Sequence, residues 1–388
     1  MNARGDRGFP RGQTAIVGTA TFGMGEAAGF TAMEIAVMAS VRALESASLK
    51  PSDVDALFVC LPDDYLSGLS LAEYLGIHPK VTDNNRTGGS SFLIHVMWAA
   101  LALQASLCDV ALIAYGSTQR SGTGRYSGVP RRDIHESPYK PKMPVAAYAL
   151  AAARHMHVYG TTQEQLAEVA VSARRWAQLN PDAFERGPLS IEDVLKARRV
   201  ADPFGVRDCC LVTDGAGAVV MTRADRARDL PNSPAYVLAA AASTTHMTIS
   251  SMPDLTVTGA AESGARAYSQ ARVRPCEIDV LQLYDAFTIN PILFLEDLGF
   301  CPKGEGGPFV SGGRIAPGGA LPVNTNGGGL SCVHPGMYGI FALIESVAQI
   351  TGRAGERQIK NSTIALAHGN GGFLSSQATV ILGNEAAL

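Results

Sequence analysis

The chain repeats itself. The run Lys50-Pro-Ser-Asp-Val-Asp-Ala-Leu-Phe-Val59 returns as Arg274-Pro-Cys-Glu-Ile-Asp-Val-Leu-Gln-Leu283. Ala72-Glu-Tyr-Leu-Gly-Ile-His-Pro-Lys80 returns as Leu295-Glu-Asp-Leu-Gly-Phe-Cys-Pro-Lys303 at nearly the same offset. Thr87-Gly-Gly-Ser90 and the apolar helix pattern behind it are answered by Asn326-Gly-Gly-Gly329 and a second helix pattern. Two matches at nearly one offset, in the order of the elements around them, mark an internal duplication of an α/β unit. With 388 residues and 46% apolar composition, two such halves can each bury a core.

The first half opens with a short buried strand, Ala15–Gly18, and a loop rich in glycine (Gly23, Gly25, Gly29). Helix periodicity runs from about Thr31 to Ser46, a strand from Ala56 to Cys60, a helix from Phe92 to Ala105 and a strand from Val110 to Tyr115. Between the halves lies an insertion of roughly residues 117–200. A polar loop from Arg120 to Met143 carries Arg125, Arg131, Arg132 and Lys140. Helical patterns follow at Val145–His157, Thr162–Gln178 and Ile191–Arg198, the second with Thr162 as its cap. Such an insertion over a scaffold is expected to cover a substrate. The run from Asp208 to Met221 leads back into a buried strand. The N-terminal half is placed at 1–230 with its insertion, and the C-terminal half at 231–388, with late strands at Thr363–Ala367 and Ala378–Leu382.

Composition removes several classes of function. A net charge of −3 with scattered Lys and Arg argues against nucleic acid as the main partner. Met1 to Gln13 is polar and lacks a signal-peptide pattern, and no apolar run approaches the ~20 residues of a membrane helix. The seven cysteines have no zinc spacing and read as reduced thiols of a cytoplasmic protein. His155 and His157, two apart on a helix, cannot share a metal from one face. No metal and no cofactor is expected.

The chemistry concentrates between Asn324 and Ile340. Three glycines (Gly327, Gly328, Gly329) turn the backbone where side chains cannot fit, then come His334-Pro335, and then a helix pattern from Tyr338 to Gly352. A glycine turn, a fixed histidine and a helix start together suit an anionic or enolate oxygen. A second such motif is His368-Gly-Asn-Gly-Gly372.

With these motifs in view, the chain resembles the thiolase superfamily, and within it the sterol-carrier and lipid-transfer type. The resemblance covers nearly the whole chain. It implies a duplicated βαβαβαββ unit stacked as α-β-α-β-α layers, with a loop domain inserted in the N-terminal half. In that family a nucleophilic cysteine at a helix start, a histidine after the Asn-x-Asn-Gly-Gly loop and a late Cys- or His-x-Gly-Gly build the site. His334 matches the second and His368 the third, with one residue more before its glycine pair. The first has no match: Asp83 to Ser91 holds no cysteine. The family's Asn-Glu-Ala-Phe stands here as Tyr284-Asp-Ala-Phe287, and its His-Pro-x-Gly motif is shortened to His334-Pro-Gly-Met-Tyr-Gly339. Both departures bring in a tyrosine.

Without a thiolate a β-ketoacyl thioester cannot be attacked covalently. A pocket that holds an enolate can still cleave a β-hydroxyacyl thioester by a retro-aldol step. The profile is similar to the lipid-transfer-protein aldolases of steroid side-chain degradation, which release a propionyl-CoA-type product and act with a small OB-fold (DUF35) partner. The resemblance implies Tyr284 and Tyr338 as the acid/base pair, although a free phenol titrates near ~10 and needs neighbours to act as a base. It implies Asp285 as an orienter or a cap of the following helix, His334 and His368 at the oxyanion, and Asn326, Gly327, Asn370 and Gly371 as loop support. It also implies an acyl-CoA substrate, a homodimer and a heterotetramer with the DUF35 protein. Ser90 and Ser91 stand as helix caps or substitute nucleophiles, Cys209 and Cys210 as packing. The arginines of 120–132 stand as a solvated loop or as contacts to CoA phosphates. Acyl transfer and non-catalytic acyl-CoA binding remain the rival functions.

Overall fold

The computed structural model describes residues 8–123 and 134–388. Arg125, Arg131 and Arg132 lie outside the described residues. The first half runs β1 (Thr14–Gly25), α1 (Ala32–Ser46), β2 (Ala56–Val59), α2 (Ser67–Leu75), β3 (Val81–Asp83), α3 (Ser91–Gln104) and β4 (Val110–Ser117). The insertion supplies α4 (Val145–Tyr159), α5 (Gln163–Gln178), α6 (Ile191–Leu195) and a small pair, β5 (Arg199–Ala201) with β6 (Phe204–Gly205). β7 (Asp214–Arg223) and the short α7 (Ala224–Ala227) return to the scaffold. The second half runs β8 (Ala235–Thr244), α8 (Ala260–Ala271), β9 (Val280–Leu283), α9 (Ile289–Asp297), α10 (Gly306–Val310), α11 (Gly339–Ile350), β10 (Ile364–Gly371) and β11 (Ser376–Gly383).

The duplication is visible in the strand order β3-β2-β4-β7-β1-β8-β11-β10-β9. In each half a parallel pair (β2 with β4, β9 with β10) is followed by two antiparallel neighbours. β3 beside β2 has its counterpart in a parallel bridge from Leu281 to Val323. Where the strands of the two halves meet, β1 pairs with β8 at Ala15 with Tyr236 and Ile16 with Ala235. α3 and α11 each touch strands of both halves, whereas α1 lies on β1, β4 and β7 and α8 on β8 and β11. Strand alternation shows the layering in single residues. A Cβ at Gly116 would meet Ala32 and Ala36 of α1, while the neighbouring Tyr115 faces Phe341 of α11. This is the expected succession of helix, sheet, helix, sheet and helix.

Local chemistry sets the element ends. Thr31 with Glu34, Thr162 with Gln165 and Ser190 with Asp193 form capping boxes for α1, α5 and α6. α3 is apolar nearly all round because sheets cover it on two sides. One expectation fails at β1, which runs on to Gly25 through the segment read as a loop. Gly23 and Gly25 have positive φ there, and the pairing with β7 shifts register between Phe22 and Gly25. Glycines admitted a bulge rather than ending the strand. Among the described residues no helix is long and apolar enough to cross a membrane.

Candidate active site

A cavity of about 290 Å³ opens where the starts of α3 and α11, the end of β10 and the insertion converge. Glycines make this approach possible. A Cβ at Gly371 would lie 1.7 Å from the Thr87 carbonyl oxygen, and one at Gly339 would lie 2.0 Å from that of Gly89. The two glycine-rich loops, one from each half, therefore pack backbone on backbone. Where the Asp83–Ser91 loop faces the cavity it presents only Gly88 and Gly89. The space a side chain at 89 would take belongs to the Tyr284 ring, whose Cε2 would sit 1.9 Å from that Cβ.

Tyr284 follows the end of β9, its N–H donating to the His368 carbonyl at 3.0 Å. Its ring meets His334 and Tyr338 edge-on, with centroids at 5.7 and 5.8 Å. The phenolic oxygen accepts the Tyr338 backbone N–H at 3.2 Å, and Tyr338 is the residue before the first turn of α11. A donor at a helix start is placed to meet negative charge on that oxygen. His334 also lines the cavity. Burial pushes its pKa down to about 4, so the ring stays neutral near pH 7. Its Nε2 is buried and has no hydrogen-bonding partner among the described residues.

The supporting groups lie one layer behind. The Asp285 carboxylate accepts the Gly329 N–H at 2.6 Å and the Leu330 N–H at 3.4 Å, so it orients the glycine loop rather than capping the next helix. Burial pushes Asp285 up to about 7 against those donors. A Cβ at Gly328, whose φ is +64°, would come within 2.0 Å of its Oδ2. Asn326 Oδ1 accepts the Gly328 N–H and the Tyr338 hydroxyl, both at 2.8 Å. Gly327, at φ +103°, lets this turn press on Ala177 of α5.

Tyr338 is thus brought beside Tyr284, but its own hydroxyl does not reach the cavity. The ring is fully buried, and burial, with Asp285 and Cys332 adding to it, pushes the phenol well above its ordinary range. His368 is also kept away. Its Nε2 meets Gln377 Oε1 at 2.9 Å, its Nδ1 meets Thr379 Oγ1 at 3.0 Å, and its ring packs on Phe294 of α9. Instead Asn370 and Gly371 carry the third loop to the cavity wall. Asn370 Oδ1 accepts from Gln377 Nε2 at 2.8 Å, and its Nδ2 donates to the Tyr148 hydroxyl at 2.7 Å.

Sequence reasoning did not single out Tyr148, Phe287 or Gln119, all of which line the cavity. Tyr148 occupies the buried face of α4 and stacks on Phe287 at 4.5 Å, so in sequence it has the signature of a core residue. Cys209 and Cys210 face the cavity rather than merely packing. Burial, then the nearby Asp208, pushes Cys209 up to about 12, and burial raises Cys210 as well, so both stay as thiols. Ser90 and Ser91 bond to neighbours: Ser91 Oγ accepts the Thr87 N–H at 2.9 Å, and Ser90 Oγ donates to Ser376 Oγ at 2.9 Å. Among the described residues no cluster of His, Cys, Asp and Glu could hold a metal ion.

Residues 241–384 match the thiolase C-terminal domain-like family. A 17-hydroxy-3-oxo-4-pregnene-20-carboxyl-CoA lyase of Mycobacterium tuberculosis is 33% identical over 88% of this chain and 92% of its own length. The chain belongs to the thiolase superfamily. This superfamily member is also 32% identical to a steroid side-chain-cleaving aldolase of Thermomonospora curvata, over 88% of the chain and 91% of the relative. It is 31% identical to an acetyl-CoA acetyltransferase of Methanothermobacter thermautotrophicus, over 92% and 96%. Among solved structures, an Ltp2-ChsH2(DUF35) aldolase superposes with a TM-score of 0.87 at 30% identity, covering 97% of this chain and 98% of that one. Human mitochondrial 3-ketoacyl-CoA thiolase shares the fold, with a TM-score of 0.70 at 17% identity over 96% and 99%. The relatives therefore include both lyases and acyltransferases.

Proposed function

We propose that this thiolase-superfamily chain is a carbon–carbon lyase that cleaves a β-hydroxyacyl-CoA, most simply a steroid side-chain ester, to a ketone or aldehyde and a shorter acyl-CoA such as propionyl-CoA. One observation carries the reading: the cavity is lined by a phenol and by a neutral imidazole whose Nε2 has no partner among the described residues, and the loop expected to bring a thiolate presents only glycine there. In the proposed step the Tyr284 oxygen, as the phenolate, takes the β-hydroxyl proton. The O–H pair becomes the new C=O bond as the Cα–Cβ bond breaks, and the Cα–Cβ pair passes into the thioester as an enolate. His334, as its Nε2–H tautomer, donates to the thioester oxygen while charge builds on it. The Tyr284 phenol then returns the proton to Cα, so atoms and charge balance without a further reactant. The Tyr338 N–H serves the phenolate state, and Tyr338, Asn326 and Asp285 hold the loop that carries His334.

The compound for which the mycobacterial lyase is named fits this chemistry, since a 17-hydroxyl is β to a carboxyl borne on carbon 20. Partnership with a DUF35 protein belongs to the same reading and rests on the aldolase complex that this chain resembles; a homodimer core for that assembly is part of the proposal. Product analysis with paired β-hydroxy and β-keto acyl-CoAs, with and without a DUF35 protein, tests it. Cleavage of the hydroxy compound alone supports the lyase. Thiolysis of the keto compound on adding CoA would replace it by the acyl-transfer reading that the acetyltransferase relative favours. That rival needs a thiolate, and both cavity thiols are held protonated.

A further inference from the structure

Two residues that line the cavity each carry a buried side-chain atom with no hydrogen-bonding partner among the described residues. The atoms are His334 Nε2 and Gln119 Oε1. A buried carbonyl oxygen left unpaired costs roughly 1–3 kcal/mol, so such an atom on a cavity wall points to a partner that arrives with the ligand. Gln119 sits two residues past β4, and the backbone just beyond it is pinned, since the Arg120 and Ser121 N–H groups donate to Asp214 Oδ1 at 2.8 and 3.0 Å. Its Oε1 lies over Gly336, where an added Cβ would come within 3.0 Å of it. Gly336 is two residues from His334 and two from Tyr338, whose N–H meets the Tyr284 oxygen. The amide oxygen thus shares a wall with the reacting groups.

We infer that Gln119 is a specificity-determining residue whose side-chain oxygen accepts the substrate's β-hydroxyl. Near the thioester a β-hydroxyacyl chain offers one donor, that hydroxyl, whereas a β-keto chain offers none and meets the amide oxygen with a second lone pair. The acceptor therefore selects the substrate of a retro-aldol cleavage over that of a thiolysis. The hydroxyl has a single proton, so this bond belongs to the bound substrate and is given up when the O–H turns to the Tyr284 oxygen. This inference rests on the proposed lyase reading for its choice of substrate.

The test measures binding of a β-hydroxyacyl-CoA and of its 3-deoxy and 3-keto counterparts by calorimetry, in a Tyr284→Phe background so that the hydroxy ligand survives. One neutral hydrogen bond predicts about tenfold tighter binding of the hydroxy ligand. Gln119→Leu should collapse that ratio to about one while leaving the 3-deoxy affinity unchanged, and Gln119→Glu, which keeps the acceptor, should restore it. Should the leucine variant fail to fold, Gln119→Met repeats the comparison. A tenfold ratio that survives in Gln119→Leu overturns the inference, as does a wild-type preference for the keto ligand. Turnover by the otherwise unaltered chain is scored separately. If it cleaves nothing while the Gln119-dependent preference stands, the lyase reading falls and the hydroxyl acceptor remains.

Discussion

Tyr284 and Tyr338 are neighbours, and the direction of each hydroxyl separates them. Tyr284 faces the cavity, whereas Tyr338 spends its hydroxyl on Asn326. Tyr284→Phe should therefore lower turnover by about 10²- to 10⁴-fold, the usual weight of a positioned proton-transfer group, and cost about 1–3 kcal/mol of stability because the Tyr338 N–H loses its acceptor. Tyr338→Phe removes one buried hydrogen bond from an acceptor that keeps the Gly328 N–H, so it should cost about 1 kcal/mol of stability. Its effect on turnover should be the smaller of the two, because the contact to Tyr284 comes from the Tyr338 backbone. Denaturant unfolding and steady-state kinetics on both variants check this ordering. In sequence the two residues look alike, each a tyrosine where the family pattern has something else. Only the packing against Asn326 tells them apart, and no local pattern encodes it. His368 fails as a site residue for a related reason. Its strand was expected to stop at Ala367, which would have left the histidine in a loop. β10 instead runs to Gly371, and alternation then sends Gly369 toward α3 and His368 toward α9.

At the scale of elements, the site is a meeting of two loop-and-helix units that only glycine permits. Gly89→Ala would drive a methyl group into the Tyr284 ring, a flexible obstacle that can swing aside. We expect a loss of activity with a stability cost of roughly 1–3 kcal/mol. Gly371→Ala would instead press on the Thr87 carbonyl, which is backbone and cannot rotate away, so its cost should lie at or above the top of that range. Thermal melts of the two variants should show Gly371→Ala as the less stable. The glycine runs themselves were legible in the sequence as places where the chain must turn. That Gly88 faces Gly371 and Gly89 faces Gly339 was not, because it depends on the docking of one half against the other. The same limit hid Tyr148 and Gln119, which reach the cavity from the insertion and from just past β4.

For the whole molecule the duplication was the most informative feature of the sequence, since it implied repeated topology and repeated glycine loops across the joint. Burial of ionisable groups along that joint also sets the response to pH. His95, His334 and His368 are held down to about 3, 4 and 4 by burial, so the folded chain leaves them neutral while the unfolded chain protonates them below about pH 6.5. Asp285, raised by burial to about 7, acts in the opposite sense, holding a proton in the folded state that the unfolded state releases above about pH 4. Around pH 5 these four groups leave the unfolded state with a net excess of about two protons. Stability should then fall with decreasing pH at about 2.7 kcal/mol per pH unit from this source. Urea unfolding between pH 7 and 4.5 reads that slope directly, and a flat profile would mean that these histidines titrate in the folded protein.

Whether a phenol in a thiolase scaffold breaks a carbon–carbon bond without a covalent intermediate is decided by one comparison. The otherwise unaltered chain and Tyr284→Phe would each be given a β-hydroxyacyl-CoA and its β-keto counterpart, and the CoA products separated and weighed. The hydroxy compound, a secondary alcohol as its keto counterpart requires, should alone give a shorter acyl-CoA and an aldehyde, with no added CoA needed, and nearly none should form with Tyr284→Phe. Unimpaired cleavage by Tyr284→Phe, or CoA-dependent cleavage of the keto compound, would contradict this account.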